Sequence, residues 1–307
     1  MRSLSTLVKP DAIVRRRIAA GLAGIAAVVA LIAVAVGEGR HAHDAARPAE
    51  AQSDTLPPQT AALLYAANEE LIRRCMAAQG YPYQVAAAPP ATTSQLFPYV
   101  LDDVAWARAH AYFAGGTSAE PANPVLAAMP DSRRAAYAQA LNGGPGGTDV
   151  QVTLPGGDVL GHSTNGCEAT AEGQLYGDFP AWFTATNAAQ FLISRRQRQV
   201  VADPAYTAGV HTWVDCMSAA GLQVASPAET ARQYASGTDP TPDQVRAAVA
   251  EATCAQQTGL AALARQLDAA YRARMSTPDL RQLDEYRRLA QDAIPRAQAV
   301  LKYGARA

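Results

Sequence analysis

The chain has 307 residues, enough for one or two globular domains. Apolar residues make up 49 % of it and charged residues only 17 %, so the chain can bury a sizeable core, which excludes disorder throughout. The formal net charge of -1 argues against a dedicated nucleic-acid-binding protein.

The first predicted element is a membrane-spanning helix over residues 18–37. This run, IAAGLAGIAAVVALIAVAVG, carries no charge and has the roughly 20 residues that a bilayer core requires. Arginines at positions 15–17 precede it directly, and positively charged flanks stay inside, so residues 1–17 are predicted to be cytoplasmic. We therefore expect a single-pass cell-membrane protein whose C-terminal domain lies outside the cytoplasm.

A cleaved signal peptide is the alternative interpretation of this segment. The apolar region of such a peptide usually has only about 7–15 residues, which favours an uncleaved signal anchor here. Ala33-Val34-Ala35 and Ala49-Glu50-Ala51 both satisfy the A-x-A cleavage pattern, but that pattern is frequent in an alanine-rich chain. Cleavage would make the protein secreted rather than membrane-bound.

Residues 38–56 are predicted to form a flexible stalk, because they are polar, rich in alanine and proline, and without periodicity. The globular domain is predicted over residues 57–307. Acidic residues outnumber basic ones beyond the membrane run, and the only lysine there is Lys302. Such a domain should bind neither nucleic acid nor anionic lipid.

The domain is predicted to be all-α with one small β-hairpin. Residues 149–154 alternate between polar and apolar, Pro155-Gly156-Gly157 turns the chain, and residues 158–160 return. Ser163 or Thr164 is expected to cap the helix that begins before Cys167. Apolar periodicity with glycine and proline boundaries predicts helices over residues 57–79, 99–114, 124–142, 165–176, 178–203 and 204–221.

The C-terminal segment is predicted to form a long antiparallel helical hairpin. Thr241-Pro242-Asp243-Gln244 is a capping box with proline at the first helical position, and the helix it opens carries an apolar stripe to about Met275. Residues 276–279 interrupt the pattern. A second stripe from Leu280 to Leu301 marks the last helix, which Pro295 should kink. We expect this hairpin to be the structural spine and the element that faces a partner, and part of it to project from the body.

The four cysteines define a weak internal repeat. Cys75 and Cys216 each open the pattern CMxxxG at the end of a predicted helix, and one further cysteine, Cys167 or Cys254, follows each of them. An even number of cysteines outside the cytoplasm favours two disulfides. Of the three possible connectivities, the repeat favours pairing within each half, Cys75 with Cys167 and Cys216 with Cys254.

The same motifs carry a resemblance to a family. CMxxxG, GCxxxA followed by Tyr176-Gly177, WxxCMxxxG from Trp213 and CxxxTGL from Cys254 together resemble uncharacterised actinobacterial envelope proteins, many of which look like secreted lipoproteins. The similarity spans about residues 70–301. The lipid-anchor cysteine of such lipoproteins is absent here, which leaves the membrane helix as the anchor, and the acid before the last cysteine is Glu251. The resemblance implies no activity.

No catalytic, cofactor-binding or metal site is predicted. His41 and His43 lie in the predicted stalk. The histidines at positions 110, 162 and 211 do not belong to an H-E-x-x-H or similar metal-binding motif. No G-x-S-x-G motif is present. The glycine-rich segment 143–147 lacks the lysine of a phosphate-binding loop and is interpreted as a plain turn, and arginine pairs such as Arg195-Arg196 are interpreted as solvated helix faces.

Two functions of different classes follow from these observations. The favoured one is a non-catalytic, membrane-tethered extracytoplasmic protein that binds an envelope protein or a cell-wall polymer. The alternative is an extracytoplasmic hydrolase that acts on cell-envelope material. A deep polar cleft in which histidines and carboxylates converge would favour the hydrolase, whereas a convex or grooved apolar patch on the C-terminal helical hairpin would favour binding.

Overall fold

Helices dominate the fold. The computed structural model describes residues 54–88, 91–113, 125, 129–144, 149–235 and 240–304. Its strands are β1 (Asp149–Thr153) and β2 (Val159–Ser163). Its helices are α1 (Pro58–Ala78), α2 (Thr93–Leu96), α3 (Val104–His110), α4 (Asp131–Asn142), α5 (Cys167–Tyr176), α6 (Phe179–Val201), α7 (Pro204–Ala219), α8 (Pro227–Tyr234), α9 (Pro242–Gln257), α10 (Leu260–Ala273) and α11 (Thr277–Gly304).

The strands pair antiparallel, with Asp149 opposite Ser163 and Thr153 opposite Val159, so the predicted helical domain with one small hairpin is confirmed. The helix starts follow local capping chemistry. The Gln244 amide donates to the Thr241 hydroxyl over 3.3 Å, which is the predicted capping box of α9. Helix α8 was not predicted, although Ser226 caps it through a hydroxyl that accepts from the Glu229 amide.

The predicted helix from residue 242 to about 275 is two helices. It breaks at Thr258 and Gly259, where Gly259 adopts a left-handed φ of 75° between α9 and α10. The prediction of one long helix was wrong because the apolar stripe continues across the break, whereas the backbone changes direction at the glycine. Pro295 lies inside α11, which continues through it.

The C-terminal helices also pack differently from the predicted spine. The main partners of α10 are α6 and α7, whereas α11 lies mainly against α1 and α6. Leu283, Ala290 and Ala293 of α11 are fully buried there. The expectation of a projecting antiparallel hairpin is therefore wrong, since each of its two helices packs into the body against other elements.

Buried side chains form two main clusters, one that contains Cys167 and one that contains Cys254. The first core contains Leu64 and Met76 of α1 with Leu175 of α5. The second core contains Trp213 and Met217 of α7, packed against α3, α9 and α10. Helix α6 contributes to both, so it joins the two cores into one body.

The predicted cytoplasmic segment 1–17, the predicted membrane span 18–37 and the predicted stalk up to residue 53 lie outside the described residues. Within the part that is described, no helix is both long and apolar enough to cross a membrane. Asp54, predicted to be stalk, has a fully buried side chain that accepts hydrogen bonds from Arg196 over 2.7 Å and Arg272 over 3.0 Å. The folded body therefore includes Asp54, and Arg196 is buried rather than solvated as predicted.

Candidate functional site

Both disulfides join one helix end to a later helix. Cys75 in α1 bonds Cys167, the first residue of α5, with a Cα–Cα distance of 5.6 Å. Cys216 in α7 bonds Cys254 in α9 with a Cα–Cα distance of 5.7 Å. These are the two pairs that the repeat predicts, and none of the four cysteines is free.

The repeat has the same local structure in both halves. Gly80 and Gly221 end their helices in the left-handed conformation, with φ of 78° and 80°. The amide after each glycine donates to the carbonyl of Met76 or Met217, over 2.9 Å in both cases, which is the closing bond of a Schellman motif. Both methionines are fully buried. The pattern CMxxxG thus specifies a cross-linked, core-filling helix end.

The acid of the motif set, Glu251, lies at the centre of the second core with 2 % of its surface exposed. Its carboxylate accepts hydrogen bonds from the Tyr112 hydroxyl over 2.6 Å and from the Leu101 amide over 3.1 Å. Burial raises the pKa of Glu251 to about 7. The two hydrogen bonds act in the opposite direction, because they favour the ionised form. The pKa of Tyr112 is raised by its burial and by the neighbouring carboxyl group.

A strained turn positions Tyr112 for this contact. Ala111 is buried with φ of 52°, and it is the one residue other than glycine with positive φ among those described. Such strain costs on the order of 1–3 kcal/mol and persists only where the surroundings impose it. Trp213 of the same motif set donates to the Glu251 carbonyl over 3.4 Å. These motif residues therefore build the second core, and the Glu251 carboxyl group has a structural role.

The three histidines in the described part of the chain do not assemble into a catalytic group. His41 and His43 lie outside the described residues. His110 stacks on Trp106 with ring centroids 4.9 Å apart, and His211 is exposed on α7. No group of three or more His, Cys, Asp or Glu side chains in the described part of the chain could hold a metal ion.

His162 of β2 makes the one close contact between a histidine and a carboxylate in the described regions. Its Nε2 lies 3.4 Å from Glu168 of α5, and its ring packs against Phe179 and Phe183, with centroid distances of 5.3 and 5.8 Å. Burial raises the pKa of Glu172, one turn further along α5, to about 7. Neither of the two concavities described below is lined by His162, Glu168 or Glu172.

A polar cleft lies where the end of α1 meets α4 and the turn before α5. Its volume is about 320 Å³, near the lower limit of roughly 300–1,000 Å³ for small-molecule sites. A second concavity of about 450 Å³ is formed by the last turns of α6 alone, so it brings together no separate segments. The cleft is lined by Gln79, Tyr81, Ala136, Gln139, Ala140, Gly144 and Asn165.

Hydrogen bonds hold two of the cleft amides in place. The side-chain oxygen of Asn165 accepts hydrogen bonds from the Gly144 backbone amide over 3.0 Å and from the Ser163 hydroxyl over 2.8 Å. The Gln79 side-chain nitrogen donates to the Cys167 sulfur over 3.0 Å, so the side of the cleft formed by Gln79 is held against the first disulfide. The first disulfide and the turn before α5 thus position the cleft.

Close backbone contacts shape the same region. A Cβ at Gly166, the N-cap of α5, would lie 2.4 Å from the Gly143 nitrogen and 2.5 Å from the Leu141 carbonyl oxygen. No side chain caps α5, so the prediction of Ser163 or Thr164 as its cap was wrong. Gly143, the first glycine of the predicted plain turn, packs against Gly166, and Gly144 lines the cleft.

Gly166→Ala is expected to lower the free energy of unfolding by about 1–3 kcal/mol, because the new methyl group meets backbone that must shift. The matched control is Gly173→Ala in the same helix, whose Cβ would make ordinary contacts at 3.6 and 3.8 Å. The control should stabilise the protein by up to about 1 kcal/mol through helix propensity. Urea denaturation of the full chain measures both changes, and equal shifts would contradict the close contact.

The sequence did not identify the cleft residues as a site. They come from three segments that are separated along the chain, and only Gln79, in the CMxxxG pattern, and Gly144, in the glycine-rich turn, belong to features that the sequence singled out. One local signal was available, since Asn165-Gly166 is an asparagine-glycine pair a few residues after a predicted strand. It indicates a tight turn but does not indicate what that turn faces.

Comparisons of the chain with protein-family models, with curated proteins and with solved structures give no match. The resemblance to actinobacterial envelope proteins therefore stays a prediction. A function for the cleft has to be argued from its residues and their geometry.

Proposed function

We propose that this protein is a non-catalytic domain, tethered to the cell membrane through residues 18–37, that binds an envelope partner in the polar cleft. The observation that carries the proposal is the chemistry of the lining. None of the seven residues is His, Asp, Glu, Lys or Arg, and three of them are amides. Amides bind polar ligands through paired donors and acceptors but do not supply general acid–base catalysis.

This lining also argues against the hydrolase alternative. A hydrolase requires a nucleophile or an activated water next to a base, within hydrogen-bond reach of the substrate. The His162–Glu168 pair is the nearest approach to such an arrangement in the described residues, and it packs against aromatic rings instead of lining the cleft. Binding without reaction is therefore the better interpretation of the site.

The position of the cleft suits a tethered binding domain. The chain enters the folded body at Asp54, just before α1, whereas Gln79 and Tyr81 directly follow the end of α1. The 21 residues of this helix span about 30 Å at 1.5 Å per residue. The two disulfides support an oxidising compartment outside the cytoplasm, where such bonds persist.

Photo-crosslinking in intact cells tests the proposal. A photoreactive benzophenone amino acid is placed at position 139 in the cleft or, as the control, at position 190, since Gln190 is equally an exposed glutamine but lies on α6 outside the cleft. We expect a crosslinked envelope component from position 139 only. Crosslinks of equal yield from both positions, or from neither, would contradict binding in the cleft.

The same cells report the topology, because the chain has only two lysines, Lys9 and Lys302. Lys302 is exposed near the end of α11. A membrane-impermeant amine-reactive reagent should label Lys302 and leave Lys9 unlabelled until the membrane is opened. Labelling of Lys9 alone in intact cells would reverse the proposed orientation.

A further inference from the structure

We infer that the polar cleft binds a neutral glycan that carries hydroxyl and acetamido groups. The inference rests on the proposed function, since it names the ligand class for the same cleft. The first argument is charge. None of the described lining residues carries a charge, and the nearby Arg133 guanidinium is engaged with the Tyr81 ring, 5.6 Å from its centroid, so the lining itself offers no ion pair to a phosphate, a carboxylate or an amine.

The second argument is the set of polar groups without partners. Among the described residues, the Gln139 amide and the Tyr81 hydroxyl have no hydrogen-bond partner, and Gln79 uses only its nitrogen. These groups offer donors and acceptors side by side, which suits ligands whose hydroxyl and amide groups both donate and accept. Because Asn165 is already held by Gly144 and Ser163, that side of the cleft is organised before a ligand arrives.

Tyr81 is held in place by contacts outside the cleft. Its ring makes an edge contact with Tyr137, at a centroid distance of 5.7 Å, and the Arg133 guanidinium lies 5.6 Å from its centroid. Such contacts fix an amphipathic ring that presents its hydroxyl together with apolar surface. A sugar ring, with hydroxyl groups beside C–H groups, matches this combination.

A glycan suits the cleft better than an extended peptide. A bound peptide needs pockets for its alternate side chains, whereas the apolar part of this lining consists of Ala136, Ala140 and the Tyr81 ring. The volume of about 320 Å³ also favours a short unit dense in polar groups over a long segment. The polar groups, the small apolar area and the missing charge together point to the glycan.

Titration of the full chain with N,N′,N″-triacetylchitotriose tests the inference. The chain is kept in a detergent without a sugar headgroup, because a glycoside detergent would compete for the cleft. Calorimetry measures the affinity, and the side-chain amide NMR signals of Gln79, Gln139 and Asn165 report the location. We expect saturable binding that moves these signals and leaves the signal of Gln190 in place.

The variant that tests the contacts is Gln139→Ala with Tyr81→Phe. It removes the two groups that make no hydrogen bond in the described structure, so the fold should be unchanged. Each lost hydrogen bond weakens binding about 2- to 10-fold, and the double variant should bind roughly tenfold more weakly or worse. Gln190→Ala is the matched control and should bind like the unmodified chain.

A capped neutral peptide, acetyl-tetra-alanine amide, separates the possible outcomes. Glycan binding that the double variant weakens supports the inference. Binding of the peptide alone overturns the inference of a glycan ligand and leaves the proposed function standing. The same holds if neither probe binds while position 139 still crosslinks in cells. Glycan binding that the double variant does not change places the ligand elsewhere and overturns the inference. Loss of both binding and crosslinking overturns the inference and the proposed function together.

Discussion

Removal of the Cys75–Cys167 disulfide is expected to lower the free energy of unfolding by about 4–5 kcal/mol, and removal of Cys216–Cys254 by about 4 kcal/mol. The first bond closes 92 residues of chain and the second 38, and a longer closed loop restricts the unfolded chain more strongly. The variants Cys75→Ala/Cys167→Ala and Cys216→Ala/Cys254→Ala, studied by urea denaturation of the full chain, measure both effects.

The two bonds should differ in their effect on the cleft. Gln79 donates to the Cys167 sulfur, and α5 begins at Cys167, so the loss of this bond frees one wall of the cleft. The second bond lies in the other core, next to no cleft residue. Under conditions where both variants are folded, crosslinking from position 139 should be lost only without Cys75–Cys167. A loss of less than about 1 kcal/mol from either variant would mean that packing alone holds these helix ends together.

The protein is expected to be more stable at pH 5 than at pH 8, by about 3 kcal/mol from Glu251 alone. Burial raises the pKa of Glu251 from 4.5 to about 7 in the folded state, and each pKa unit corresponds to about 1.4 kcal/mol. Below pH 4.5 the group is protonated in both states and its contribution is fully present. Between pH 4.5 and 7 the unfolded chain loses its proton first, so stability falls as the pH rises. Glu172, whose pKa is also raised to about 7 by burial, acts in the same direction.

Denaturation midpoints measured from pH 5 to pH 8 test this dependence. Glu251→Gln should remove about half of the slope and leave the part that comes from Glu172, because the glutamine amide does not ionise and can still bond Tyr112 and Leu101. Glu285→Gln is the control. The Arg288 guanidinium beside Glu285 lowers the pKa of that carboxyl group, so it titrates below this range and its loss should leave the slope unchanged. A protein that grows more stable from pH 5 to pH 8 would show that Glu251 is ionised where it is buried.

These expected results separate the two cores by role. The second core holds the buried acid, the strained turn and the tryptophan of the motif set, and it provides stability. The first core ends in the polar cleft, next to its own disulfide. The same type of cross-linked helix end thus fills the core next to Cys216–Cys254 and positions the candidate site next to Cys75–Cys167.

Local features of the chain were sufficient to predict much of the fold. Capping residues and proline set the starts of α6, α7 and α9, because those bonds join residues within one helical turn. The hairpin followed from alternation around Pro155-Gly156-Gly157, and the repeated pattern CMxxxG predicted both disulfides. All of these signals involve residues that are close in sequence or related by the repeat.

Tertiary structure alone decided the remaining features, because they depend on residues that are distant in the chain. The apolar stripe from Val245 to Tyr271 did not reveal that Gly259 ends α9, nor that α11 would pack against α1 and α6. Periodicity identifies which face of a helix is buried but not the element that buries it. Likewise, no local signal indicates that Gln79, Gln139 and Asn165 lie together, since they meet only when two helix ends and a turn pack together. The sequence by itself thus determined the elements and their covalent links, and packing decided where a ligand can bind.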